Sequence, residues 1–194
     1  MDASTVTRRP AAGQPRNVDR GPWIQTYTGR RFYLFDPQPE DVDPLDIGHA
    51  LSMLCRYGGH LRAFYSVAEH SVHVAHSVPA EHALAGLLHD GTEAYIGDMV
   101  APLKQAMPDY QQVEQRIWQA VAVRFQLPND GQLPWTVVDA DLRIRHDETA
   151  ALPPAASGFP AGKPLGVTIH SWKPADAERA WLDLYHHLTQ ECAR

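Results

Sequence analysis

Between Asp43 and Gly59, apolar residues stand at Ile47, Ala50, Leu51 and Leu54, the i, i+3, i+4, i+7 spacing of one helical face. Asp43 ahead of Pro44 offers an N-cap with proline in the first helical position, and Gly58-Gly59 supply a stop, which puts Arg56 and Tyr57 at the helix's C-terminal end. Ser66 and Glu69 have capping-box spacing, so a second helix is expected from Ser66 with His70 in its first two turns. Pro79 opens a third helix whose Ala83 to Leu88 stretch is almost wholly apolar and ends in His89-Asp90. Such a helix is buried, and the two polar residues closing it need partners.

A fourth helix is expected from Asp109 to Pro128, with Val113, Ile117, Ala120 and Val121 on one face. Thr136 caps a fifth, TVVDADLRIRHDETAAL, in which Val137, Asp141, Ile144 and Glu148 share a face. The last begins near Pro174, with Trp181, Leu184, Tyr185 and Leu188 as its inner stripe. Ahead of these, WIQTYTGRRFYLF sets β-branched and aromatic residues around a Thr28-Gly29 turn and reads as a short hairpin. The pattern therefore predicts an all-α bundle with a short N-terminal β-hairpin. Residues 1 to 21 lack periodicity and read as a disordered basic tail, 22 to 194 as one domain, and LPPAASGFPAGKP as a surface loop.

At 194 residues the chain suits a single domain able to bury a sizeable core. Cys55 and Cys192 form no C-x-x-C pair, and neither an apolar leader nor a membrane-length apolar run is present, so the expected setting is soluble, reducing and cytoplasmic. Cys55 is expected to be a small buried hydrophobe. A formal charge of -6 argues against duplex nucleic acid as a partner. An anionic substrate would then need a local cation, and the 11 histidines point to a bound metal.

His70, His89, Asp90 and Asp141 lie on three helices expected to be buried. Two imidazoles and two carboxylates make a mixed nitrogen and oxygen set that suits Mn, Fe, Co, Ni or Zn and leaves coordination positions open. In HDGTEAYIGD, Asp90, Glu93 and Asp98 crowd three carboxylates whose repulsion calls for a cation. His73 and His76 do not extend the set, because i+6 points away from i on a helix. His186 and His187 are expected to face solvent.

RYGGH at 56 to 60, YSVAEHS at 65 to 71, LLHDGTEAYIGD at 87 to 98, P-x-K at 102 to 104 and DADLRIRHDE at 139 to 148 occur in an order that resembles the HD-domain superfamily of metal-dependent phosphohydrolases. The resemblance is to its compact nucleotide-hydrolase branch, which includes bacterial 5'-deoxynucleotidases and phage-type deoxynucleoside triphosphate triphosphohydrolases. It implies a divalent ion (Co, Mn, Zn, Fe, Ni or Mg) on His70, His89, Asp90 and Asp141. Asp139 is a rival to Asp141; the resemblance selects Asp141, and helical phase agrees by placing it on the face of Glu148. The resemblance also implies that Arg56 and Lys104 meet substrate phosphate, and it leaves a homo-oligomer open. The connection from His70 to His89 is short compared with some relatives.

Glu93, three residues past Asp90, is the candidate to orient or deprotonate water, with Asp98 assisting or protonating the leaving oxygen. Tyr57 is a candidate to stack on a base, as are Trp23, Tyr27 and Phe32, although core roles are the simpler reading for most of them. Glu148 reads as a partner of a ligand, or of Arg143 or Arg145. The expectation is a metal-dependent phosphohydrolase of nucleotides, deoxynucleotides foremost. An HD-type hydrolase of cyclic nucleotides or alarmones and a catalytically silent metal-containing module are the alternatives.

Overall fold

A computed structural model describes residues 20–128, 131–152 and 162–191. The protein is mainly helical, with one two-stranded antiparallel hairpin: β1 (Trp23–Gln25) and β2 (Arg31–Tyr33), in register Trp23 to Tyr33, Ile24 to Phe32 and Gln25 to Arg31. Gly29 takes φ +83° in the turn, where a side chain would be strained. The hairpin is fastened to the helices through the buried Asp46, which accepts from the Thr28 N–H at 2.7 Å and the Thr28 hydroxyl at 2.9 Å. Phe32 is fully buried and stacks on Tyr95 with ring centres 3.7 Å apart, so it belongs to the core.

Helix α1 (Pro44–Met53) starts as expected, with the Asp43 carboxylate accepting from the Leu45 N–H. It stops earlier than expected. Leu54 is extended, the Val67 N–H donates to the Leu54 carbonyl, and the Arg56 N–H donates to that of Tyr65, so pairing with 65–67 pulls the chain out of the helix before Gly58. Arg56–Gly59 form a separate 3-10 turn in which Tyr57 and Gly58 both have positive φ. Cys55, in this pairing, is half-buried rather than buried.

Helix α2 (Val67–His76) is capped by Ser66, whose hydroxyl accepts from the Glu69 N–H at 3.1 Å. Only this half of the expected capping box forms. The Glu69 carboxylate turns away to accept the N–H groups of His170, Ser171 and Trp172, holding an extended segment against the bundle. Helix α3 (Ala83–Leu88) runs straight into His89. Two short helices not foreseen from periodicity follow, α4 (Glu93–Ile96) and α5 (Ala101–Gln105); at four and five residues they are too short for a hydrophobic stripe to show.

Helix α6 (Pro108–Arg124) ends before Pro128. Helix α7 (Trp135–Ala151) follows Pro134, which occupies the capping position in place of Thr136; the Thr136 hydroxyl instead meets His82 Nδ1 at 2.8 Å. Helix α8 (Pro174–Glu191) closes the fold. Its Trp181 is fully buried, and Leu184, Tyr185 and Leu188 pack beside it as the stripe requires. At Gly48 an added Cβ would lie 2.9 Å from the Trp181 ring, so the glycine sets the approach of α1 to α8.

Helix α2 packs against α1, α3, α7 and α8 and is the central element. A smaller apolar cluster of Val74, Ala85, Val137, Ala140 and Ile144 seats α7 against α2 and α3. Among the described residues, no helix is long and apolar enough to cross a membrane. Arg20 is not part of a loose tail, since it pairs with Asp36 and Asp41. Residues 1–19, most of the Pro/Gly-rich loop and Cys192 lie outside the described residues.

Candidate metal centre

His70 projects from the second turn of α2, His89 and Asp90 from the end of α3, and Asp141 from the second turn of α7. Packing of these three helices brings the four side chains together. His70 Nε2 lies 3.2 Å from His89 Nε2, 3.2 Å from Asp141 Oδ1 and 3.6 Å from Asp90 Oδ2, and His89 Nε2 lies 3.3 Å from Asp90 Oδ2. His70, His89 and Asp90 each offer one ligand atom within 4.8 Å of the others, a group able to hold a metal ion. Asp139, the rival carboxylate, pairs with Arg143 at 3.3 Å instead.

The tautomers of both imidazoles follow from their outer partners. His89 Nδ1 meets the Gly86 carbonyl at 2.7 Å, and a carbonyl can only accept, so Nδ1 carries the proton. His70 Nδ1 meets Glu148 Oε1 at 2.7 Å inside a fully buried contact. Burial opposes the charge on Glu148, but Arg56 and His70 outweigh it and hold this carboxyl well below its ordinary range, so it too accepts. With Nδ1 engaged from behind, each ring turns its Nε2 toward the other ring and toward two carboxylates. Four donors facing one another are stable only with positive charge among them. Burial disfavours charge on His89, yet Asp90 and Asp141 bring its imidazolium up to about 9, the same demand answered by a proton. The donor set thus fits a cation, with histidine orientation fixed from behind as metal-binding histidines require.

A cleft of about 310 Å³ opens beside these residues, lined among others by Arg56, Tyr57, Glu93, Asp98, Lys104 and Arg145. A second recess of about 430 Å³ lies across Asp90 and Asp141, walled by Trp118, Gln115 and Leu133. Glu93 is buried, and its Oε2 has no hydrogen-bond partner. Burial, followed by repulsion from Asp90 and Asp98, pushes its carboxyl well above the usual range. Asp98 is raised too, chiefly by burial.

Arg56 is nearly buried, its Nη1 3.3 Å from Asp90 Oδ2 and its Nε 3.4 Å from Glu148 Oε1. The Tyr57 hydroxyl donates to Glu148 Oε2 at 2.5 Å, which holds the ring in its left-handed backbone position. Lys104 reaches the cleft with its Nζ paired to Glu114.

Other candidates fall elsewhere. Trp23 and Tyr27 are exposed, Tyr27 stacks on His49, and neither these two nor Phe32 lines either recess. His73 packs near Trp172, and His76, His186 and His187 are exposed. Glu148 does not pair with Arg143 or Arg145; Arg56 takes that place, a contact across 92 positions that no local pattern announces. Arg145 was legible only as the residue four after Asp141 on one helix, a spacing that puts both on one face.

Fold and site together define an all-α bundle with a mixed histidine and carboxylate centre beside a charged cleft. The chain belongs to the family of the uncharacterized protein YfdR of Escherichia coli (strain K12), with which it is 33 % identical over 178 residues, covering 88 % of this chain and 99 % of that one. It is also 32 % identical over 187 residues to the uncharacterized protein RCAP_rcc00048 of Rhodobacter capsulatus, covering 86 % of this chain and 94 % of that protein. No family model matches the chain.

Proposed function

We propose that the protein is a divalent-metal-dependent phosphohydrolase acting on nucleotides. The observation that carries this reading is the convergence of two imidazole Nε2 atoms and two carboxylates beside a cleft that holds both a buried, raised carboxyl and several cations. A structural metal site would need the first set and not the second, which disfavours a silent module. Deoxynucleotides are the foremost substrates on the HD-type sequence resemblance alone.

His70, His89, Asp90 and Asp141 would hold the ion, with Glu148 and the Gly86 carbonyl fixing the two rings. When bound, a divalent ion supplies Lewis acidity toward a phosphoryl oxygen and makes hydroxide available near neutral pH. Glu93, facing the cleft with one oxygen uncommitted, accepts the proton of the attacking water, and its raised pKa suits it to hold that proton. Asp98, also raised, delivers a proton to the departing oxygen. Arg56 compensates charge on the transferred phosphoryl group and Lys104 adds to the field from the rim. Tyr57 forms a wall of the same cleft, where a substrate's sugar or base would lie.

The test is a hydrolysis panel of mono- and triphosphates of the common ribo- and deoxynucleosides, with cyclic nucleotides and alarmones, each supplemented in turn with Mn, Co, Zn, Fe, Ni and Mg. Metal-dependent release of phosphate or triphosphate is expected. Absence of turnover on every nucleotide with metal occupancy verified would overturn the proposal, and activity confined to cyclic nucleotides or alarmones would redirect it.

A further inference from the structure

Three cations line the cleft, and two of them are already committed. The Arg56 guanidinium lies against Asp90 and Glu148 at 3.3 Å and 3.4 Å, with 12 % of its side chain exposed. Lys104 Nζ is paired with Glu114. The third, Arg145, stands one helical turn beyond Asp141 on α7, on the face that supplies the ligand, and lines the same cleft as Asp90, Glu93 and Asp98. Its guanidinium has no hydrogen-bond, ion-pair or ring partner among the described residues.

We propose that Arg145 is a phosphate-binding residue of this cleft, the cation that hydrogen-bonds an incoming anion, while Arg56 compensates its charge from a fixed place between Asp90 and Glu148. This rests on the phosphohydrolase reading for its consequence in turnover, but not for the binding itself. A planar guanidinium whose donors meet no partner among the described residues offers phosphate two parallel charge-assisted hydrogen bonds and gives up none of the described contacts on doing so. Arg56 would first have to loosen from two carboxylates, one of them fully buried. Asp90 and Asp141 would not compete for Arg145 with a divalent ion between them, and neither Glu93 nor Asp98 pairs with it in the structure, which leaves the anionic substrate as its partner. Placement on a helix, seated by Val137, Ala140 and Ile144, holds it rigidly in relation to Asp141.

The experiment compares wild type, Arg145→Ala and Arg145→Lys as metal-replete protein. Binding of inorganic phosphate is measured by calorimetry, and melting temperature, metal content and nucleotide kinetics are measured on the same preparations. Loss of a charged hydrogen-bonding partner should weaken phosphate binding in Arg145→Ala by roughly 10-fold to 100-fold. KM should rise in proportion, kcat should change far less, and Arg145→Lys should recover part of the affinity. Metal content and melting temperature should match wild type, since no side-chain contact of Arg145 among the described residues is lost. Unchanged phosphate affinity in Arg145→Ala, or no phosphate binding by wild type, overturns the proposal. If wild type hydrolyses no nucleotide, the phosphohydrolase reading fails, and the phosphate measurement still decides the role of Arg145.

Discussion

Glu148 shows how much one buried carboxylate can organise. It accepts from His70 Nδ1 and the Tyr57 hydroxyl and faces Arg56, so the tautomer of His70, a strained tyrosine and a cleft cation depend on one side chain. Its neighbours should respond differently to removal. His89→Ala or Asp90→Ala is expected to lose metal together with activity, whereas Glu93→Ala should keep metal and lose about 10²-fold to 10⁴-fold in kcat, the range for a missing general base. Elemental analysis beside kinetics separates the two; a metal-free Glu93→Ala protein would make Glu93 a ligand. Arg56→Ala should cost stability as well as kcat/KM, because it leaves Glu148 buried with one partner fewer: about 1 to 3 kcal/mol is expected from a lost charged hydrogen-bonding partner. A denaturation curve unchanged from wild type would show that Glu148 is satisfied without it.

At the scale of elements, the site is the meeting place of α2, α3 and α7, and each is seated by features away from the chemistry. The Ser66 cap starts α2 four residues before His70, and its loss to alanine should cost about 1 kcal/mol. The contact of α1 with α8 is set by Gly48. Alanine there gains up to about 1 kcal/mol in helix propensity, but its Cβ would fall 2.9 Å from the ring of fully buried Trp181 and 3.2 Å from Leu182. Overpacking of this kind costs about 1 to 3 kcal/mol, so Gly48→Ala should melt below wild type. A higher melting temperature would mean that the two helices can part at no expense. The segment 170–172 is likewise tied down by Glu69, a residue whose spacing from Ser66 had suggested only a capping role.

Across the whole molecule, three helices remote in sequence must come together to present the donor set, so binding of a cation should be coupled to folding. Exhaustive chelation is expected to lower the melting temperature: saturating a site at 100 times its Kd contributes about 2.7 kcal/mol. For a domain of this size that corresponds to a fall of roughly 5 to 10 °C. Calorimetry with and without Mn, Co or Zn measures it, and a melting temperature indifferent to every metal would remove the centre. The helices with long apolar stripes, the hairpin and the order of the ligand-type residues could be read from the chain alone, because periodicity and capping are local and leave a mark within a few residues. The early end of α1 could not be read, since it depends on pairing with 65–67. Nor could the meeting of Glu148 with His70 and Arg56, or the pairing of Arg56 and Lys104 beside an Arg145 side chain without a partner among the described residues. Those are decided by contacts beyond the reach of local spacing, and the geometry around Glu148 exists only once burial of the core has fixed how α2, α3 and α7 pack.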